Sequence, residues 1–331
     1  MAYQNEIIMY QFQALFHAAF GKNLDKIEKL RADASERKIF RLSTDDNSCI
    51  GIYNNNVSEN EAFICFSKAF YKSGFNVPEI LGVNDDKTVY LESDLGGTTV
   101  FTYVKKETVR KNILKAYYDC LSGLLNFQFN GLKSIDIEQC YEGKEFDIEL
   151  LENDINKFCE FCIKPHTVID PAIIKNSEGM KDLIKEIMKT DMNYFMYRDF
   201  QPRNIMMYNG KLYFIDYQSG RKGPLQYDTA SFLYSGSIDI NEEEREQLLN
   251  VYINEMEIEY GYSGKQFQKS FYLFVMIRLI QVLGSYGYTY HNRKEENYLA
   301  KIEKALVNLD SIKDKIEIKS IRELIEVLTN K

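Results

Sequence analysis

With 331 residues, 45% of them hydrophobic and 14% aromatic, the chain can fold as about two domains or lobes with a sizeable core. Its net charge of −8 argues against a nucleic-acid partner. The sequence contains no run of about 18 apolar residues, so no membrane-spanning helix is predicted. The first residues contain no cationic start followed by an apolar stretch, so we expect a cytoplasmic protein whose six cysteines stay reduced.

The N-terminal part of the sequence mixes helical and strand-like patterns. Apolar residues that recur about every 3.6 residues predict a helix over 6–20. A second helix is predicted over 61–73, ending at Gly74. Strands are predicted by short β-prone runs bounded by turn residues, at 27–30, 39–42, 48–53, 80–83 and 88–92. This order of elements favours a small antiparallel sheet accompanied by helices.

From residue 108 onward the pattern is mainly helical, with predicted helices over 109–128, 148–161, 180–189, 241–260, 264–286, 297–309 and 321–328. The second of these carries Glu149, Glu152 and Asp154, which form either an ordinary solvated face or the lining of a site for a cation. The fifth is strongly apolar yet contains Arg278 and Gln281. These two form either a buried structural pair or part of a pocket, because buried polar groups need partners.

An ordered set of oxygen-bearing side chains lies in the middle of the chain. Asp199 is followed by Asn204 five residues later and by Asp216 after twelve more. Between the last two, Asn209 and Gly210 predict a hairpin turn that would bring Asn204 and Asp216 to the same end of two strands. This spacing indicates phosphoryl transfer, with Asp199 orienting an acceptor hydroxyl and the other two holding Mg²⁺ against nucleotide phosphates.

The residues at 197–206 and 214–228 resemble the aminoglycoside phosphotransferase and choline kinase-like superfamily, which has the protein-kinase-like fold. Tyr197 stands where protein kinases have histidine, and the tripeptide at 215–217 replaces their D-F-G. Within the superfamily, the sequence resembles the branch of cell-wall amino-sugar kinases. That resemblance runs over about 35–309 and suggests anomeric phosphorylation of N-acetylmuramate or N-acetylglucosamine.

The resemblance implies an α+β, bilobal fold. Residues 1–95 would form a small antiparallel-sheet N-lobe, residues 96–331 would form a larger, mainly helical C-lobe, and the hinge would lie at 92–97. ATP and Mg²⁺ are the implied cofactors, and the implied partner is a small, sugar-like molecule. Glu92 and Asp94 fall in the segment that would face the adenine base.

One feature of the superfamily is missing. Kinases of this fold usually carry a lysine on the third strand, paired with a glutamate on a helix, but the strand predicted at 48–53 has no lysine. Arg37 or Lys38 is expected to supply the phosphate-binding charge instead, and Glu61 stands where the helix carboxylate is expected. The alternatives are that ATP is not the donor or that the protein has lost its activity.

The acceptor side is predicted from polar residues near the motif. Candidate contacts are Arg203, Gln218, Arg221, Arg278 and Gln281. Cations near the acceptor would repel a polycationic aminoglycoside and would suit a neutral or carboxylate-bearing sugar. We therefore predict a sugar kinase, with an aminoglycoside or choline-type kinase and a catalytically impaired nucleotide-binding protein as alternatives.

Overall fold

The computed structural model describes residues 2–30, 37–167 and 169–329. The chain forms two compact units, each built from separate stretches of sequence. The first unit comprises residues 1–107, 130–144 and 203–220. The second unit comprises residues 108–129, 145–202 and 221–331. The division differs from the predicted boundary at residue 95, because the stretch with Asn204 and Asp216 groups with the N-terminal part of the chain.

The strands are β1 (Lys26–Lys29), β2 (Lys38–Ser43), β3 (Ser48–Tyr53), β4 (Ile80–Val83), β5 (Val89–Ser93), β6 (Tyr194–Met196), β7 (Ile205–Tyr208), β8 (Lys211–Phe214) and β9 (Arg221–Gly223). The helices are α1 (Ala2–Phe20), α2 (Val57–Lys72), α3 (Val100–Val104), α4 (Arg110–Ser134), α5 (Ile148–Phe158), α6 (Lys164–His166), α7 (Pro171–Asn176), α8 (Glu178–Ile187), α9 (Leu225–Leu233), α10 (Glu242–Tyr260), α11 (Gly264–Arg293), α12 (Asn297–Ser311) and α13 (Lys319–Thr329). Short 3-10 turns span Ile137–Gln139, Pro202–Asn204 and Lys313–Lys315, and a π-helical turn spans Cys159–Ile163.

The first unit is organised around an antiparallel sheet of strand order β1-β2-β3-β5-β4. Helix α1 packs its apolar side on this sheet, burying Phe12 and Phe16 against Leu42 and Leu91. The close approach depends on Gly51 in β3, where an added Cβ would lie 2.7 Å from the Phe12 ring. The small antiparallel sheet predicted from the sequence is therefore present.

The hairpin β7–β8 also belongs to the first unit. Its turn residues Asn209 and Gly210 have φ angles of 49° and 74°, the left-handed conformation that a two-residue turn of this type requires. The backbone nitrogen of Phe214 donates to the carbonyl of Asn76 at 2.9 Å, which attaches the hairpin to the rest of the unit. The predicted Asn-Gly hairpin is confirmed.

The second unit is built on α11, whose apolar side chains are buried along most of its length. It packs against α5, α9 and α12. By length and composition α11 could cross a membrane, but 61% of its most apolar 18-residue stretch is buried inside the structure. A core helix has these same properties, so the finding is no specific evidence for a membrane.

Several helix ends differ from the predicted ones. Helix α2 begins at Val57 rather than at residue 61, because the side chain of Asn56 accepts a hydrogen bond from the backbone nitrogen of Glu59 and caps the helix. Helix α11 continues to Arg293, seven residues beyond its predicted end. The π-helical turn that follows α5 was not predicted, because its residues have ordinary helix-forming patterns.

Candidate active site

The hairpin brings the two predicted metal ligands together in the first unit. Asn204 Nδ2 lies 3.1 Å from Asp216 Oδ2. The backbone nitrogen of Ile215 donates to the carbonyl of Asn204 at 3.0 Å, so the ladder of the hairpin holds both residues in register. Asp216 adopts a φ of 68°, a left-handed conformation that few residues other than glycine adopt and that often marks functional sites.

Two further side chains donate hydrogen bonds to the carboxylate of Asp216. Arg37 Nη1 donates to Asp216 Oδ1 at 3.1 Å, and Gln218 Nε2 donates to the same oxygen at 2.8 Å. Arg37 also forms an ion pair with Glu59 of helix α2. Burial by itself lowers the pKa of Arg37, but neighbouring groups, Tyr90, Asp216 and Glu59, raise it above its ordinary value.

Of the two cations predicted to supply the phosphate-binding charge, Arg37, the residue before β2, lies beside Asp216. Lys38, the other candidate, lies over the ring of Tyr53 at 5.3 Å. The helix carboxylate that pairs with the cation is Glu59 and not the predicted Glu61, which instead pairs with Lys87 at the exposed surface. The prediction missed Glu59 because it started the helix four residues too late.

The predicted hinge segment carries two acidic groups in different environments. Glu92 Oε2 is buried without a hydrogen-bond partner among the described residues, and burial raises the pKa of Glu92 to about 8 although Arg37 opposes the shift. Asp94 accepts hydrogen bonds from Arg41 Nε at 2.7 Å and from Ser48 Oγ at 2.5 Å. Burial raises its pKa, but these hydrogen bonds outweigh burial and lower it. Asp94 also accepts a hydrogen bond from the backbone nitrogen of Gly96 at 2.9 Å, which fixes the backbone of the predicted hinge segment.

Asp199 lies in the second unit, on the loop that follows β6. Its neighbours Tyr197 and Phe200 are buried and anchor the loop, while Asp199 itself is exposed. Asp228 accepts hydrogen bonds from the backbone nitrogens of Tyr197 at 2.6 Å and Arg198 at 2.8 Å. Burial raises the pKa of Asp228 to about 7, and these hydrogen bonds oppose the rise. Asp228 therefore fixes the backbone of the loop that carries Asp199.

Arg278 and Gln281, two of the predicted acceptor contacts, also lie in the second unit. Arg278 Nη1 donates to Tyr227 Oη at 2.6 Å and to Gln281 Oε1 at 2.9 Å, and Nη2 donates to Ser231 Oγ at 2.8 Å. Arg278 Nε is buried and has no partner among the described residues. Burial lowers the pKa of Arg278, but Tyr227 and then the charges of Asp199, Asp154 and Asp228 raise it above its ordinary value.

The other three residues predicted to contact the acceptor have different surroundings in the structure. Gln218 binds Asp216 and Glu59, so it belongs with the predicted metal ligands. Arg203 stacks on the ring of Phe101 at 3.6 Å in the first unit. Arg221 is buried in strand β9 of the second unit. These three were predicted from their position in the sequence alone, which cannot indicate the direction of a side chain.

The pair Asn204 and Asp216 fits a small, hard cation. Their carboxylate and amide oxygens are donors that Mg²⁺ accepts, and rotation of the Asn204 amide would present its oxygen beside Asp216. Among the described residues no group of three or more His, Cys, Asp or Glu side chains could hold a metal ion. Two protein ligands suit Mg²⁺, which usually takes its remaining ligands from water and phosphate.

A sequence profile of the ecdysteroid kinase-like family matches residues 128–260. The chain is also similar to two proteins named N-acetylmuramate/N-acetylglucosamine kinase. The Neisseria meningitidis protein is 25% identical over 220 residues, which span 64% of this chain and 62% of the relative, less than two thirds of its length. The Pseudomonas aeruginosa protein is 22% identical over 277 residues, which span 82% of this chain and 79% of the relative.

Solved small-molecule kinases have the same fold. The choline kinase LicA from Streptococcus pneumoniae matches with a TM-score of 0.61 at 14% identity, covering 93% of this chain and 99% of that chain. Amicoumacin kinase hAmiN, solved in complex with AMP-PNP, Ca²⁺ and Ami, matches with a TM-score of 0.62 at 12% identity, covering 92% and 94%. The predicted α+β, kinase-like fold is confirmed.

Proposed function

Because the chain has the fold and the sequence pattern of the aminoglycoside phosphotransferase and choline kinase-like superfamily, we propose that it is a small-molecule kinase. It transfers the γ-phosphoryl group of ATP to a hydroxyl group of a sugar or amino sugar, in the cytoplasm where ATP is available. The observation that carries the proposal is the meeting of Asn204 and Asp216 at 3.1 Å, with Asp199 five residues before Asn204.

On the donor side, Asn204 and Asp216 would hold Mg²⁺, and Arg37 binds a phosphate oxygen of ATP. When bound, Mg²⁺ would supply positive charge that neutralises the nucleotide phosphates. Glu59 and Gln218 keep Arg37 and Asp216 in position before the nucleotide arrives. The presence of Arg37 beside Asp216 argues against a loss of activity, because it supplies the cation that the third strand lacks.

On the acceptor side, Asp199 accepts the proton of the hydroxyl group whose oxygen attacks the γ-phosphorus. The exposed position of Asp199 on a loop braced by Asp228 suits this role, since the carboxylate is accessible while its backbone is fixed. The products are the phosphorylated acceptor, ADP and a proton that passes through Asp199 to solvent.

The acceptor is most consistent with a sugar. Two relatives are named as kinases of N-acetylmuramate and N-acetylglucosamine. The partly buried cation Arg278 also interacts electrostatically with Asp199, and a cation there disfavours polycationic acceptors. We extend the proposal to phosphorylation at the anomeric hydroxyl, the position that the amino-sugar branch of the superfamily phosphorylates.

ADP release with a panel of acceptors tests this function. The panel contains N-acetylglucosamine, N-acetylmuramate, glucose, kanamycin and choline, each with ATP and Mg²⁺. We expect turnover with one or more of the sugars and little with kanamycin or choline. Turnover of kanamycin or choline with no activity on any sugar would contradict the proposed acceptor class, and no turnover with any acceptor would contradict the proposed activity.

A further inference from the structure

Helices α5 and α11 of the second unit pack closely and run in the same direction. A Cβ added to Gly284 would lie 2.7 Å from the backbone nitrogen of Phe158, and one added to Gly287 would lie 2.1 Å from the carbonyl oxygen of Phe161. From the first contact to the second, the chain advances by three residues on α11 and by three residues from the end of α5 into the π-helical turn. Side chains one turn before these contacts, on either helix, must also be neighbours.

Asp154 on α5 and Gln281 on α11 occupy those earlier positions. Asp154 is partly buried, yet its carboxylate has neither a hydrogen bond nor an ion pair with any residue that the structure describes. Burial raises the pKa of Asp154, while the charges of Arg278 and Arg198 oppose the rise. A partly buried carboxylate without a partner destabilises the fold, which suggests that it serves another purpose.

Arg278 lies one turn before Gln281 on the same helix. Like Asp154, it carries a charge that has no ion-pair partner among the residues that the structure describes. Its hydrogen-bond acceptors in the described structure are neutral: Tyr227, Gln281 and Ser231. No carboxylate lies within ion-pair distance of it there, although Asp199 and Asp154 act on it from farther away. An arginine with a buried guanidinium nitrogen, as Arg278 has at Nε, is normally paired with an acidic group.

An unpaired carboxylate and an unpaired guanidinium therefore lie near one another without touching. We propose that Asp154, Gln281 and Arg278 bind adjacent hydroxyl groups of a neutral, polyhydroxylated acceptor close to Asp199. The carboxylate of Asp154 accepts hydrogen bonds from hydroxyl groups, and the amide and guanidinium donate to hydroxyl oxygens. Because the two charges balance, the cluster favours a neutral acceptor over a polycation.

This inference rests on the proposed kinase function and adds Asp154, which the sequence pattern left open between a solvated face and a cation site. The test compares Asp154→Asn and Arg278→Gln with a matched control, Glu152→Gln, on the exposed side of the same helix as Asp154. Binding of N-acetylglucosamine and glucose to each full-length protein is followed by saturation-transfer NMR without nucleotide. The Michaelis constant for each sugar is measured in parallel.

We expect both variants to weaken sugar binding and raise the Michaelis constant by about tenfold to a hundredfold, the loss of one charge-assisted hydrogen bond. Glu152→Gln should stay within about twofold of the wild type. Asp154→Asn should also unfold at the same temperature as the wild type or higher, because it removes a partly buried charge that has no ion-pair partner among the described residues. Weaker sugar binding together with an unchanged unfolding temperature would show that the side chain recognises the sugar and that the variant has not misfolded.

The outcomes distinguish this inference from the function on which it rests. A wild-type enzyme that phosphorylates kanamycin or choline but no sugar would overturn both. A wild-type enzyme that phosphorylates N-acetylglucosamine, together with Asp154→Asn and Arg278→Gln variants whose sugar affinity stays within about twofold, would overturn the inference alone. Tighter kanamycin binding than sugar binding in the wild type would also overturn it.

Discussion

At the residue scale, Asp199 is expected to act on the acceptor and not on the nucleotide. Asp199→Asn keeps the size of the side chain but removes the basic oxygen, so turnover should fall by about 10² to 10⁴. The dissociation constant of ATP, measured by calorimetry, should change by less than about twofold. A variant that retained more than a tenth of the wild-type rate would remove Asp199 from the proposed mechanism.

Asp216 is expected to act on the nucleotide side. Its carboxylate contacts Asn204, Arg37 and Gln218, so it is the centre of the polar cluster in the first unit. Asp216→Ala should lower both the turnover rate and the Mg²⁺-dependent part of ATP affinity, whereas ATP binding in EDTA should change little. Titration of ATP with and without Mg²⁺ measures the difference. Wild-type Mg²⁺ dependence in the variant would contradict the assignment of Asp216 as a metal ligand.

The sequence left the choice between Arg37 and Lys38 open, and the ion pairs favour Arg37. Arg37→Ala should weaken ATP binding by about 1.5–3 kcal/mol, the contribution of one charge-assisted contact. Lys38→Ala is the matched control and should bind ATP nearly as the wild type does. Arg37→Lys, which keeps a charge, should recover part of the loss. If Lys38→Ala weakened binding more than Arg37→Ala, the assignment would be reversed.

At the scale of elements, the packing of α11 depends on the absence of a side chain at Gly287. A Cβ there would lie 2.1 Å from a backbone oxygen of the π-helical turn, and a backbone atom cannot move aside as a flexible side chain can. Gly287→Ala should therefore lower the free energy of unfolding by about 1–3 kcal/mol, despite a gain in helix propensity of about 1 kcal/mol.

Urea unfolding measures this effect, and Gly97→Ala provides the control. A Cβ at Gly97 would have no heavy atom within 4 Å, so that variant should stay close to the wild type. Equal stability of the two variants would show that α11 and the π-helical turn separate without cost. The same packing aligns Asp154 with Gln281, so Gly287→Ala should also weaken sugar binding if that alignment matters.

At the scale of the whole molecule, ATP should stabilise the folded chain by mass action. Binding at about one hundred times the dissociation constant adds about 2.7 kcal/mol to the free energy of unfolding. The melting temperature of the wild type should rise with ATP and Mg²⁺ together, and by less with ATP in EDTA. Asp216→Ala should lose this difference. An unchanged melting temperature at saturating ATP would show that the protein does not bind this nucleotide.

Several features of this protein were determined by the sequence itself. The Asn-Gly turn, the flanking apolar strands and the order Asp199, Asn204 and Asp216 are local, so their spacing was enough to predict the hairpin and the meeting of the last two residues. The resemblance of this stretch to the kinase-like superfamily indicated the fold, because the spacing of these motif residues is typical of proteins with that fold.

Other features were decided by tertiary structure. The partner of Arg37 is Glu59 because the capping side chain of Asn56 starts α2 earlier than its apolar pattern suggests. Gln218 joins Asp216, and Asp154 comes within the electrostatic reach of Arg278, because packing sets the direction of each side chain. Residues far apart in sequence meet only after elements pack, and periodicity within one element carries no information about that contact.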